Sequence, residues 1–195
     1  MAILRVVKYG DKVLRTPTKE VVKFSSKIRK LVDDLLDTMY AQNGVGLAAP
    51  QVGESYRICV IDTSTGNEPL NPIVLINPKI VKRSGAIISR EGCLSFPDAF
   101  IEVKRYKDIV VRAKDMRGKP FTIEATGGSL LARAIQHECD HLDGVLFIDH
   151  SVDVSQAETE LEQKGLPAVD TKYLLDESEL EKIIAEEQQS VPAEE

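Results

Sequence analysis

The segment Gln136-His137-Glu138-Cys139-Asp140-His141 governs how the rest of the chain is read. It fits the pattern His-Glu-x-x-His, and on a helix the four-residue spacing stacks both imidazoles on one face, so that two ligands point at one ion. The glutamate between them is rotated about 100° per residue away. From there it reaches a water beside the ion without becoming a ligand. Two of the chain's three histidines lie in this one motif. The pattern also arises by chance in helices that bind nothing, so its context has to carry part of the weight. Ser129 follows Gly127-Gly128 as a capping residue, Leu130–Leu142 is the helical run, and Asp143-Gly144 supplies the glycine stop. A helix carrying a metal-binding face is therefore expected over this stretch.

A structural zinc site needs four protein ligands, whereas a catalytic one needs three and an open position. The third ligand we assign is Cys93, in Ser89-Arg90-Glu91-Gly92-Cys93-Leu94-Ser95-Phe96-Pro97, directly after a predicted strand. Gly92 lets the backbone approach an ion there, and Pro97 ends strand continuation. Taken alone the assignment is weak, because a lone cysteine after a strand is more often a small core residue. Cys59, inside the apolar strand Arg57–Asp62, takes that core reading. Cys139 sits between the histidines and points the wrong way for the same ion, so it is assigned to packing.

Outward from the motif, Ser26–Gln42 places Ile28, Leu31, Val32, Leu35, Leu36, Met39 and Tyr40 at the three-and-four spacing of one buried stripe, which predicts an amphipathic helix. The chain then breaks at Asn43-Gly44 and passes through small residues to Gln51. From Tyr56 to Thr126 it changes to short β-rich runs: Ile58–Asp62, Ile73–Ile76, Ala86–Ser89, Phe100–Val103, Ile109–Ala113 and Phe121–Ala125. The last two are joined by Asp115–Lys119, a predicted hairpin with Ile109, Val111 and Ala113 on its dry face. The fold class is α+β. Antiparallel or mixed β-sheet should pack around a central metal-binding helix that carries His-Glu-x-x-His, with a further helix near the N-terminus.

A chain of 195 residues with 43% hydrophobic content can build one core. The absence of a long apolar run argues against a membrane partner, and three cysteines are too few for a disulfide framework, which points to reduced thiols in a cytoplasm. Charge is asymmetric: residues 151–195 hold 13 acidic residues and 3 lysines, or −10, leaving 22 Lys+Arg against 18 Asp+Glu, or +4, in residues 1–150. No direct nucleic-acid binding is expected from that balance. The expected division is a catalytic domain over 1–150 and an acidic C-terminal extension over 151–195, partly helical or disordered. The extension breaks at Gly165-Leu166-Pro167 and shows an amphipathic stretch around Leu174–Ile184 that reads as a weakly docked helix.

Three separated motifs together resemble the peptide deformylase family. They are Gly44-Val45-Gly46-Leu47-Ala48-Ala49-Pro50-Gln51, Glu91-Gly92-Cys93-Leu94-Ser95 and Gln136-His137-Glu138-Cys139-Asp140-His141, and the likeness covers roughly residues 1–150. The resemblance implies that Cys93, His137 and His141 bind one divalent ion, Fe(II), for which Zn(II), Ni(II) or Co(II) can substitute. It implies N-formylmethionyl peptides and nascent chains as substrates, with transient proximity to the ribosome. Metal-bound water then attacks the formyl carbon with Glu138 as general acid/base, releasing formate and a free amino terminus. The resemblance also implies that Gln51 donates its side-chain amide, and Leu94 its backbone N–H, to the developing oxyanion. Substrate backbone pairs with Gly46, and Val45, Leu130 and Ala134 are assigned as walls of the methionine pocket, positions that also suit plain core.

Some features stand outside the pattern. Arg133 precedes the histidine motif by one turn, where it reads equally as a charged pocket rim or a solvated helix face. Glu91 and Arg105 are expected to form an ion pair behind the Cys93 strand, of the surface kind that contributes little. Some family members resemble one another in a basic C-terminal helix that docks on the ribosome, whereas the corresponding region here is strongly acidic, which repels RNA. Two rival readings fit the same motif. A zinc endopeptidase uses His-Glu-x-x-His equally well, although His150, nine residues past His141 and beyond the glycine stop, is read as a surface residue rather than a third ligand. The other rival is a non-catalytic formyl-peptide binder.

Overall fold

The computed structural model describes residues 2–64, 66 and 68–175. Helix α1 spans Ser26–Ala41, and the stripe read from the sequence is its buried face, with Val32, Leu35 and Met39 fully covered. Strands β1 (Gly46–Ala48), β2 (Ile58–Ile61), β3 (Ile73–Cys93), β4 (Phe96–Lys114) and β5 (Pro120–Ala125) form one antiparallel sheet in sequence order. Helix α2 spans Leu130–Asp143. The α+β expectation holds, with one all-antiparallel sheet where antiparallel or mixed sheets were expected.

Strand β2 explains how two helices sandwich one sheet. Its sequence Ile58-Cys59-Val60-Ile61 is apolar throughout, because both its faces are covered. Successive side chains of a strand point to opposite faces. Ile58 and Val60 accordingly join Val32, Leu35 and Met39 of α1, while Cys59 and Ile61 join Ala132, Ile135, Cys139 and Leu142 of α2.

The short runs expected between residues 73 and 113 are parts of two long strands. β3 leaves β2 and continues along β4 in register Ile80↔Val111, Ile87↔Arg105 and Glu91↔Ile101, with irregularities at Ile76/Lys79, Ile80/Lys82 and Gly92/Cys93. Such bulges bend a strand without ending it. The sequence signal breaks where β3 runs past the core: Lys79, Lys82 and Arg83 are exposed, yet ladder hydrogen bonds persist. The β4–β5 hairpin forms as read, with Asp115 accepting from Arg117 N–H and Lys119 N–H in its turn. Ile109, Val111 and Ala113 are its buried face.

A third helix, α3 (Val154–Gln163), lies in the acidic extension. It is firmly docked: Ala157 and Leu161 are buried in a cluster with Phe96, Val103, Phe147 and Leu14. The amphipathic stretch expected around Leu174–Ile184 falls, from residue 176 onward, outside the described residues. Among those described, no helix is long and apolar enough to cross a membrane.

Candidate metal centre and substrate cleft

Helix α2 is built as its sequence indicates. Ser129 accepts from Ala132 N–H at 3.3 Å, and Gly144 closes the helix at φ 74°. A Cβ at Gly144 would also meet the Arg15 carbonyl oxygen at 2.8 Å, so glycine is required there twice over. The two imidazoles stand one turn apart with ring centroids 5.1 Å from each other.

The third donor arrives from the sheet. Cys93 ends β3, the two-residue turn Leu94-Ser95 follows, and Cys93 pairs with Phe96 at the start of β4. This turn brings the thiol to His141, with Sγ 3.3 Å from Nε2. The ligand atoms of Cys93, His137 and His141 all lie within 4.8 Å of one another. A tetrahedral ion with bonds of about 2.0–2.3 Å separates its donors by roughly 3.5 Å, and the 3.3 Å between Cys93 Sγ and His141 Nε2 is close to that spacing. Cys59 and Cys139 are instead buried in the core between α2 and the sheet, and burial pushes both thiols up.

His137 is oriented from behind. Its Nδ1 meets Glu91 Oε2 at 3.1 Å, which leaves Nε2 for an ion. Arg105 then donates to Glu91 through Nη2 at 2.9 Å and to Asp140 through Nη1 at 2.5 Å. His150 Nε2 completes the chain at 2.9 Å from Asp140 Oδ2. Two expectations are corrected here. The Glu91–Arg105 pair is not a surface pair, since Arg105 is 2% exposed, and His150 is not a free surface residue. Periodicity could not reveal this burial, because α2 and α3 cover β4 from elements distant in sequence. Burial opposes the charge of Glu91, but the Arg105 guanidinium and the His137 bond hold its carboxyl down at about 2. Burial and the neighbouring His137 keep the His141 imidazole well below its usual value, in the neutral form that binds metals.

Glu138 faces the strand at Gly46. A Cβ on Gly46 would lie 2.3 Å from Glu138 Oε1, so only glycine leaves room for the carboxylate. Glu138 Oε2 is buried with no hydrogen-bond partner among the described residues. Burial pushes this carboxyl up to about 7. Gln51 sits in the short 3-10 helix Ala49–Val52, its Oε1 accepting from Ala48 N–H at 2.8 Å. That bond turns Nε2 toward Cys93 Sγ at 3.4 Å and Ser95 Oγ at 3.3 Å.

A cleft of about 550 Å³ opens over these groups. Its lining includes Val45, Gly46, Gln51, Cys93, Leu94, Leu130, Ala134, His137 and Glu138, so the residues assigned from sequence come together, with His141 buried beside Cys93. Arg133 lines it too, on the cleft side of α2. Arg90 and Phe100, which sequence reading missed, form a further wall: the guanidinium lies over the Phe100 ring, 5.4 Å from its centroid, and the ring covers Gly92. The available signal was Phe100 at an outward position of β4, an aromatic where alternation calls for a polar residue.

This arrangement has counterparts. The sequence profile of the Polypeptide deformylase family matches residues 3–157. The chain belongs to that family. A peptide deformylase of Thermodesulfovibrio yellowstonii is 49% identical over 149 residues, which is 76% of this chain and 89% of that protein. The crystal structure of a Synechococcus elongatus peptide deformylase in complex with actinonin superposes with a TM-score of 0.80 at 39% identity, covering 88% of this chain and 91% of that one. The Thermotoga maritima enzyme gives a TM-score of 0.72 at 42% identity, with 78% and 100% covered. As a deformylase this chain is an enzyme, a hydrolase, and Cys93, His137 and His141 form a group able to hold a metal ion. The endopeptidase and non-catalytic readings fall with that membership.

Proposed function

We propose that the protein hydrolyses the N-formyl group of formylmethionyl peptides and nascent chains in the cytoplasm, transiently near the ribosome, with one Fe(II) held by Cys93, His137 and His141. The observation that supports the reading is the meeting of those three ligand atoms within 4.8 Å beside an unpartnered buried carboxylate, in one cleft with Gln51 and Leu94. A divalent cation there supplies Lewis acidity and a water of lowered pKa. One thiolate and two imidazoles also accept Zn(II), Ni(II) or Co(II).

The chain's own groups do the rest. Glu138 takes the proton of the attacking water and returns it to the departing amine, a double role that suits a carboxyl whose affinity for protons burial has raised. Gln51 Nε2 and Leu94 N–H donate to the formyl oxygen as it gains charge, each worth about 3 kcal/mol in such sites. The Gly46 edge pairs with substrate backbone as an added strand. Val45, Leu130 and Ala134 enclose the methionine side chain. The catalytic unit is residues 1–150, and residues 151–195 form an acidic extension that takes no part in the chemistry.

The test is anaerobic formate release from formyl-Met-Ala-Ser by iron-loaded protein beside Glu138→Ala and Cys93→Ser. Release by the parent is expected, with Glu138→Ala inactive although metal-loaded and Cys93→Ser depleted of metal. A folded, iron-loaded parent that releases no formate would refute the proposal.

A further inference from the structure

Arg133 is tethered but uncommitted. Its Nε donates to the Gly128 carbonyl at 3.2 Å, which holds the side chain along the first turns of α2 and at the cleft wall. Its terminal nitrogens meet no carboxylate among the described residues. Asp108 accepts from Gly127 N–H at 2.7 Å and does not line the cleft.

The cleft as a whole is short of available negative charge. Of the acids lining it, Glu91 is locked to Arg105 and His137, and Glu138 lies at the ion site, which leaves Asp98 at the exposed rim. The cations lining the same cleft are Lys8, Arg90 and Arg133. Lys8 is occupied with the Leu94 carbonyl at 3.1 Å, and Arg90 lies over Phe100. The N-terminal turn of α2 adds partial positive charge beside Arg133.

The direction of an extended substrate decides which of its residues meets this guanidinium. In a strand, alternate side chains share a face, so the first and third residues point the same way, about 7 Å apart. The methionine pocket is walled by Leu130 and Ala134, and Arg133 stands beside them on the same helix. Resting on the deformylase reading above, we propose that Arg133 is a specificity-determining residue that favours formylated peptides with an acidic third residue.

Steady-state turnover of formyl-Met-Ala-Glu-Ser-amide and formyl-Met-Ala-Lys-Ser-amide by iron-loaded enzyme tests this, the amides removing the terminal carboxylate. The expected kcat/KM ratio is about fivefold in favour of glutamate at low salt, the size of an exposed ion pair. It should lie mainly in KM, because a charge remote from the formyl group acts alike on bound substrate and transition state. The ratio should shrink toward one at roughly 0.5 M salt, persist in Arg133→Lys and flatten in Arg133→Gln. Equal turnover by the parent, or an unchanged ratio in Arg133→Gln, overturns the inference. So does discrimination that appears only when the Glu/Lys pair is moved to the second residue. No formate from either peptide strikes the deformylase reading itself, whereas turnover without discrimination strikes this inference alone.

Discussion

At Gly46 one hydrogen atom in place of a methyl group decides where Glu138 can stand. The φ of this residue is not positive, so alanine is acceptable to the backbone, but its Cβ would fall 2.3 Å from Glu138 Oε1. The carboxylate must then move by about an ångström, and misplacement of that size costs on the order of 100-fold in rate. Gly46→Ala is expected to keep its metal content and lose about 100-fold in kcat, checked by metal analysis and formate release on the same preparation. A second residue-scale expectation concerns Tyr40, whose hydroxyl donates to Asp62 at 2.7 Å. Burial raises the Asp62 carboxyl, but bonds from Ser64 and Tyr40 outweigh it and hold the group below its usual range, while burial and Asp62 push Tyr40 up to about 12. A depressed carboxyl contributes stability that is complete above its unfolded value, about 3.9, and is lost as pH falls through the folded value. Tyr40→Phe should therefore cost about 1 kcal/mol at pH 7, with the gap to the parent closing below about pH 4 in urea titrations.

Among elements, Arg105 joins three. It sits on β4, bonds Glu91 on β3 and Asp140 on α2, and is 2% exposed. Replacing it by methionine leaves the buried Glu91 carboxylate and the partly exposed Asp140 carboxylate without their cation, which should cost about 3–5 kcal/mol. Glu91 would also lose its hold on His137, so metal affinity should fall roughly 10- to 100-fold. Denaturant unfolding and competitive chelation measure the two effects separately. A loss confined to stability would deny Arg105 a part in orienting the ligand. Elements were legible where the signal is local: α1 by its stripe, α2 by its cap and stop, β4–β5 by its turn. The long hairpin of β3 and β4 was read as fragments because Lys79–Arg83 carries no burial pattern. Backbone pairing there is sustained by the partner strand, which the run of side chains does not disclose.

For the molecule as a whole, α3 ties the acidic extension to the body. Leu161 is fully buried against the cluster of Phe96 and Phe147, and Glu160 accepts from Phe100 N–H at 3.1 Å at the cleft wall. Leu161→Ala should cost about 2–5 kcal/mol, read as a lower urea midpoint with unchanged m-value. A cost under about 0.5 kcal/mol would mean that the helix is not part of the cooperative unit. Composition could not show this docking, because three apolar residues, Val154, Ala157 and Leu161, in a ten-residue acidic helix are enough when a hydrophobic surface awaits them. The sequence by itself determined the helix Leu130–Asp143, its two imidazoles and the glutamate between them, since spacing, cap and stop act within a few residues. It also determined the α+β class, through the change from helical to strand periodicity. Only the tertiary structure decided that Cys93 is the thiol beside His141, 48 residues away, and that Glu91 and His150 are bound into one charge network with the buried Arg105 and the partly exposed Asp140. Those relations depend on strand register and on what covers each face, and both are set by packing between segments that the chain keeps far apart.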